Sequence, residues 1–435
     1  MSKILYLPTR YYPAISGAEF YLQRMAEILT SRYKYCIDIF TSDGIDFKSL
    51  RDSKGKVIKS TNKYFSNVNK LSINRYSINY NDSLNDKIKK IKNIPAYRTL
   101  DISDNSLKEY LKNGPYLYDL LEKFLNNQNL NYDLIHSTFY PYFNLIVSLI
   151  LGKLTKKPTI CTPFFHFSNP RYLNSDLLSV LKKFDKLIAC TNLEKKKLIS
   201  LLEIPKSSIE IIPMGVDYEK FNDNKKNNKE LYNFKQNFFK NNEKKYKMVL
   251  FCGYKNYEKG AISILKAIPF ILEMYSKIYF VFIGPTTTAF NKELSKIRKI
   301  KNLRVINLTP DNLMGYYDKK KLAAFKETDL YVMPSRSDAF GISFLEAWAS
   351  GKPVIGANIG ATPEVIRNNI DGLLVEFDNP IDIAEKVIYL LKKKRVKKRL
   401  GSEGKKKVLE NHKWETIAKK TNELYQKLIL FNGIK

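Results

Sequence analysis

Pro334-Ser335-Arg336-Ser337-Asp338-Ala339-Phe340-Gly341-Ile342-Ser343-Phe344-Leu345-Glu346-Ala347 is the stretch that decides how this chain folds. The apolar run Leu330–Met333 ahead of it reads as a buried strand. The chain then turns through a loop holding one acid, Asp338, into a helix starting near Gly341. A strand feeding a helix through a short loop is the unit of a parallel α/β sheet. The start of such a helix offers unpaired backbone N–H groups and partial positive charge, a ready place for a diphosphate. Gly341 lets backbone approach a ligand closely.

Seven residues separate Asp338 from Glu346. On one helix the two acids could not face a single spot. With Asp338 in the loop and Glu346 on the helix, they can grip opposite ends of one ligand. Each has a plainer reading, Asp338 as an N-cap and Glu346 as a solvated helix residue. The second weakens because Leu345, Ala347 and Trp348 flank Glu346 in a helix too apolar for a solvent-facing surface.

The pattern repeats outward. In the second half, apolar runs at 248–251, Ile278–Ile283, 304–308, Leu330–Met333 and 354–355 alternate with helical periods at Ala261–Met274 and Ile342–Ala349. This alternation of strands and helices predicts a doubly wound sheet. The first half opens in the same way. Lys3–Leu7 is a strand, 8–17 a long turn, 19–32 a helix (Phe20, Leu22, Met25, Ala26 and Leu29 at helical spacing) and 36–40 a second strand. Further strands are expected within 68–80, at 134–136, at Thr159–Thr162, at 186–190 and at 209–213, with helices over 116–125 and 194–202. Residues 42–110 are polar, with few clean periods. The Asn- and Lys-dense stretch 222–246 marks the junction. The expected division is thus an N-terminal domain at 1–221, a linker at 222–246 and a C-terminal domain at 247–413. The amphipathic helix starting at Trp414 (residues 414–435) returns to the first domain.

Length supports this. The chain has 435 residues, enough for two α/β domains, and 44% hydrophobic residues, enough for real cores. Cys36, Cys161, Cys190 and Cys252 are scattered, each in or beside an apolar run, without metal-type spacing. They read as reduced core residues in a reducing, cytoplasmic compartment. Lys3-Ile4-Leu5-Tyr6-Leu7 meets Pro8 and cannot form the apolar core of a signal peptide. The longest apolar stretch, 145–154, is too short to span a bilayer. The formal net charge of +31 and an isoelectric point near 9.6 admit three readings: compositional drift, an anionic membrane surface, or nucleic acid. Lysine is spread through many segments rather than set among aromatics in a recognition module, so no nucleic-acid partner is expected.

The region from Leu330 to Val375 resembles glycosyltransferase family 4. It carries Phe340-Gly341, Leu345-Glu346-Ala347, Gly351-Lys352-Pro353-Val354, Gly360-Ala361-Thr362-Pro363-Glu364 and Asp371-Gly372-Leu373-Leu374-Val375 in family order. The family's paired acids stand here as Asp338 and Glu346, with Asp in place of Glu at the first. Ser16-Gly17-Ala18-Glu19 is similar to the family's glycine-rich loop after the first strand. Phe251-Cys252-Gly253 followed by Lys259-Gly260 resembles its basic loop, with Tyr254 at the usual arginine and Lys255 adjacent. Asn113-Gly114-Pro115-Tyr116 and 212–217 extend the likeness nearly end to end.

The resemblance implies a GT-B fold, two Rossmann-like doubly wound parallel-sheet domains facing across a cleft. It implies a retaining, metal-independent transfer from a nucleoside-diphosphate sugar, with no other cofactor, to a glycan, polysaccharide or lipid-linked hydroxyl. Asp338, Glu346 and His166 would be the catalytic set. Gly17, Lys259, Lys255 and Gly341 would bind the donor diphosphate, and Asp338, Ala339, Phe340 and Gly341 the donor sugar. Glu346 and Gly284 would bind the nucleoside. His166, after the strand Thr159–Thr162, otherwise reads as a histidine packed among aromatics. His136 is a weaker candidate, and His412 reads as solvated in a charged tail. No Asp-x-Asp occurs, so the metal clamp of the other major glycosyltransferase fold has no counterpart here. A sugar-nucleotide epimerase or phosphorylase of the same fold, and a basic binding protein with a degenerate site, are the competing readings. Peripheral attachment to an anionic membrane would suit a lipid-linked acceptor.

Overall fold

The computed structural model describes residues 2–59, 67–68, 71–126, 131–222 and 232–432. The chain divides into two compact units, Met1–Pro213 with Trp414–Lys435, and Met214–Lys413.

In the first unit the described strands are β1 (Lys3–Leu7), β2 (Cys36–Ser42), β3 (Asn67–Val68), β4 (Leu71–Tyr76), β5 (Leu134–Thr138), β6 (Thr159–Thr162), β7 (Lys186–Ala189) and β8 (Ile209–Ile211). Their order is β3-β4-β2-β1-β5-β6-β7-β8. Every neighbouring pair is parallel except β3 with β4. The chain works outward from β1 through β2 to β4, then reverses to place β5 on the other side of β1. Central strands are buried on both faces: Ile4 to Leu7 form an apolar run, and Leu134 to Thr138 are buried throughout, polar residues included.

Helix Gly17–Tyr33 covers this sheet with the expected apolar set, Phe20, Leu22, Met25, Ala26 and Leu29, all buried. Helix Trp414–Asn432 belongs to the same unit. Its Trp414 is fully buried, 6.0 Å from the Phe20 ring and 6.1 Å from Tyr21. Its Tyr425 hydroxyl lies 2.9 Å from that of Tyr6. His136 is a core residue here. Its Nε2 lies 2.8 Å from Thr162 Oγ1, and its Nδ1 meets the Tyr425 hydroxyl. Burial pulls its pKa down to about 3.

Among its described residues the polar region 42–110 holds helices that its composition hides, the two longest being Leu84–Lys92 and Asp104–Asn113. Each of these two starts at a serine whose hydroxyl accepts a backbone N–H, Ser83 from Asp86 and Ser103 from Ser106. In the first, Ile91 is the only buried residue, too little apolar surface to leave a period in the sequence.

The second unit holds β9 (Lys247–Cys252), β10 (Ile278–Ile283), β11 (Val305–Leu308), β12 (Leu330–Met333), β13 (Val354–Ala357) and β14 (Gly372–Val375) among its described residues. The order is β11-β10-β9-β12-β13-β14, all parallel, and the winding reverses between β9 and β12. This is the doubly wound arrangement expected from the sequence.

The division between units falls at Pro213/Met214, earlier than the expected 221, and the described part of 222–246, expected as the linker, belongs to the second unit. Phe234 is buried, and Phe239 stacks on Tyr279 at 3.7 Å. Glu327 accepts the backbone N–H of both Phe234 and Lys235. Glu243 pairs with Arg304 at 2.7 Å. These few anchors are diluted among Asn and Lys, so composition alone conceals them. Residues 223–231 of the expected linker lie outside the described residues. Cys161 and Cys190 are buried as expected, but Cys36 is exposed because it opens β2 at the strand's outer end.

Candidate active site

In an open parallel sheet, ligand groups collect beyond the carboxyl ends of the strands where the order reverses. In the second unit that point lies between β9 and β12. The loops leaving these two strands hold both stretches singled out in the sequence, 253–260 and 334–341.

The loops are stitched to each other. Gly260 has φ 74°, and a Cβ there would lie 2.3 Å from the Pro334 carbonyl oxygen, so only glycine lets the two loops meet. The Glu258 carbonyl accepts from Arg336 N at 2.8 Å and from the Ser335 hydroxyl at 3.1 Å. Its carboxylate accepts from Arg336 Nε at 3.1 Å. The guanidinium of Arg336 lies over the rings of Tyr257 and Phe377.

Lys259 and Asp338 meet at this seam. Lys259 Nζ donates to Asp338 Oδ2 at 2.8 Å and to the Ser337 carbonyl at 2.8 Å. Both side chains keep some exposure, 21% and 16%. Asp338 is not the N-cap of the following helix. That place belongs to Gly341 at φ 91°, where a Cβ would strike the Phe344 ring at 2.6 Å. Asp338 Oδ1 accepts from Phe340 N at 3.4 Å, and helix Ile342–Ala349, with its unpaired first-turn amides, begins two residues further on.

Ala339 and Phe340 are buried between them. Phe340 leans on the ring of His412, 5.5 Å between centroids. His412 is buried, which corrects its reading as a solvated tail residue. Its Nδ1 lies 3.0 Å from the Met214 carbonyl, and its own carbonyl accepts from Val216 N at 2.8 Å. The charged residues around it in sequence point elsewhere and gave no sign of this.

Glu346 is buried, as its apolar neighbours require. Its Oε1 lies 2.7 Å from Nζ of Lys321, on helix Lys319–Glu327. The ammonium also lies 3.8 Å from the centroid of Tyr316. Burial, then the Glu346 charge, push the Tyr316 phenol well above its usual range. Cys252, the last residue of β9, has its thiol pushed up to about 12 by burial, with Lys321 and Glu346 both acting on it. The Glu346 group is therefore at the same strand ends.

Lys255 turns away from this seam. Its Nζ donates to the Leu308 carbonyl at 2.9 Å and to the Asn307 side chain, at the end of β11. Burial pulls its pKa down to about 8. Tyr254, beside it, is exposed. Gly284 follows β10 at φ 131°, and a Cβ there would lie 2.1 Å from the Gly253 oxygen, so the chains leaving β9 and β10 abut. The second unit thus brings Lys259, Asp338 and Gly341 together, places Glu346 in its own ion pair, and commits Lys255 elsewhere.

In the first unit Gly17 opens helix Gly17–Tyr33, after Ser16 in extended conformation. Two residues on, Glu19 forms a buried ion pair with Arg10 at 2.7 Å and takes the Ser16 hydroxyl. Arg10 also donates to the Ile45 carbonyl at 2.9 Å, tying the turn down. His166 follows β6, and its ring stacks on Tyr172 at 5.1 Å. Sequence reasoning missed Lys321, Tyr316 and Arg10. Lys321 stands in a run of three lysines, and nothing there separates the buried one from its neighbours.

The family model for glycosyl transferases group 1 matches residues 233–407, and that for Glycosyltransferase Family 4 matches residues 81–220. An uncharacterized glycosyltransferase of Methanocaldococcus jannaschii is 30% identical over 236 residues, 53% of this chain and 57% of that one. Spore coat protein SA of Bacillus subtilis is 27% identical over 184 residues, 42% of this chain and 49% of the relative. The chain therefore spans about half the length of these curated relatives. The crystal structure of Anabaena HepE in complex with UDP and glucose superposes with a TM-score of 0.71 at 14% identity, covering 98% of this chain and 100% of that one. That likeness bears on fold, and it agrees with two parallel-sheet α/β units of the GT-B kind. The motifs in the switch-point loops, the two family matches and the fold converge, and the chain belongs to the group 1, family 4 glycosyltransferases.

Proposed function

We propose that this chain moves a glycosyl group from a nucleoside-diphosphate sugar to a hydroxyl acceptor, with retention at the anomeric carbon. The observation that carries the reading is the Lys259–Asp338 pair beside the amides opening helix Ile342–Ala349, at the reversal between β9 and β12. A cation and free amides suit a diphosphate, and an adjacent carboxylate suits sugar hydroxyls. HepE, solved with UDP and glucose, supports a uridine nucleotide as the first donor to try.

In this reading the bond between the anomeric carbon and the diphosphate oxygen breaks, and its electrons leave with the diphosphate. Lys259 and the amides around Gly341 stabilise that charge, so protein groups can do what a metal does elsewhere. Asp338, with Ala339, Phe340 and Gly341, holds the sugar, while Glu346 and Gly284 hold the nucleoside. The acceptor oxygen bonds to the same face, and its proton passes to the departing phosphate. Gly17 and His166 are assigned to diphosphate and reacting sugar on the family resemblance. A glycan or lipid-linked acceptor at an anionic membrane fits the charge of +31. No helix among the described residues is long and apolar enough to cross a membrane. Co-sedimentation tests the surface attachment, and equal pelleting on neutral and anionic vesicles would sink it.

The deciding experiment is a thermal-shift and slow-hydrolysis screen against UDP-, GDP- and ADP-sugars, with Glu346→Ala alongside. Stabilisation and release of nucleoside diphosphate from one donor, lost in the variant, supports the transferase. A folded protein silent across the panel overturns it.

A further inference from the structure

Glu346 has a partner that the motif does not contain. The Glu346 side chain is 2% exposed and that of Lys321 9%, and their charged ends meet at 2.7 Å. Of the three consecutive lysines, Lys319 is exposed and Lys320 reaches outward to the Asn312 carbonyl, so Lys321 alone turns inward. Its ammonium is ringed by aromatics: Tyr316 at 3.8 Å, Phe221 at 5.8 Å and Phe325 at 5.9 Å. Such faces attract and locate a cation.

Stability is a poor account of this arrangement. A buried ion pair is often no better for folding than a well-packed apolar pair of equal volume. A carboxylate held in place by a caged cation is, by contrast, what a binding site needs of a group that must accept hydroxyls in fixed geometry. The Tyr316 hydroxyl also hydrogen-bonds the Glu346 carboxylate. The geometry points to Lys321 as a positioning residue for the nucleotide: it fixes Oε1 of Glu346 so that the acceptor sites left over by Lys321 and Tyr316 face the ribose hydroxyls. This inference rests on the reading that Glu346 holds the ribose.

The test compares UDP with 2′,3′-dideoxy-UDP by calorimetric titration into the full chain, with the GDP and ADP pairs run alongside. Wild type, Glu346→Ala, Lys321→Met and Lys321→Gln are titrated. Hydrogen bonds to a charged group set the expected scale, so wild type should prefer the full ribose by about tenfold to a hundredfold. Lys321→Met should erase most of that preference while leaving the dideoxy affinity unchanged, and Lys321→Gln should restore part of it. A Lys321→Met protein that keeps the preference, where Glu346→Ala loses it, overturns the role of Lys321 and leaves Glu346 standing. Equal weakening of both nucleotides with a lowered melting temperature also overturns it, in favour of a structural pair. Wild type without any ribose preference, or a preference that survives Glu346→Ala, overturns the Glu346 reading itself. Should Lys321→Met fail to fold, Lys321→Gln decides by the same comparison.

Discussion

Nζ of Lys259 lies 2.8 Å from Oδ2 of Asp338, so the cation proposed for the diphosphate and the acid proposed for the sugar are each other's partner. Under the proposed function, a diphosphate arriving at Lys259 would compete with a carboxylate already in place, and one ion pair would couple the two ends of the donor.

Removing the competitor should separate binding from turnover. Partly exposed pairs of this kind are worth up to ~1 kcal/mol, so Asp338→Asn should tighten a bare nucleoside diphosphate by at most about fivefold. The same variant should slow transfer, because the sugar exchanges a charged acceptor for a neutral, weaker one. Lys259→Met should weaken the nucleotide by about tenfold or more, as a charge-assisted contact is lost. Titration calorimetry paired with initial rates reads both effects.

Gly260→Ala should act through backbone alone. At φ 74° and with the Pro334 oxygen 2.3 Å from any added Cβ, the substitution forces the two loops apart. A loss of ~1 kcal/mol or more is expected, with nucleotide affinity falling alongside. Urea unfolding and nucleotide titration of the same preparation check it. Unchanged affinity would mean that the loop seam does not set the site.

Acid sensitivity should trace in part to His136. Its folded pKa, about 3, lies below the unfolded value of 6.5, so unfolding takes up a proton between those limits. Stability from this group is therefore lost as pH falls from 6.5 towards 3. His136→Gln lacks that proton uptake, and its stability should fall less than wild type between pH 7 and pH 5 in urea titrations. Parallel declines would place the acid sensitivity elsewhere.

Trp414→Ala should destabilise by about 3–5 kcal/mol, the usual range for emptying a large buried aromatic site. Trp414 is fully enclosed beside Phe20 and Tyr21. Denaturant unfolding followed by far-UV dichroism measures it, and a change under ~1 kcal/mol would contradict the packing.

The sequence disclosed what depends on local pattern. Strand–loop–helix punctuation around Gly253 to Gly260 and Pro334 to Gly341 exposed the double winding, and with it the switch point where Lys259 and Asp338 meet. It could not disclose what depends on which of many similar residues turns inward. Lys321 is one lysine among three in a row, Phe234 and Phe239 sit in a Lys- and Asn-rich stretch, and His412 follows a helix dense in charge. Lys255 illustrates the converse: its place next to the missing arginine suggested a phosphate ligand, yet its chain runs under the turn to Asn307 and Leu308.

Because Trp414 and Tyr425 complete the core of the first unit, that unit cannot close until some two hundred residues after Pro213 have left the ribosome. The second unit, encoded between, holds all its strands within one uninterrupted stretch. Synthesis therefore completes the second unit before the first, whose apolar surface stays uncovered until helix Trp414–Asn432 arrives.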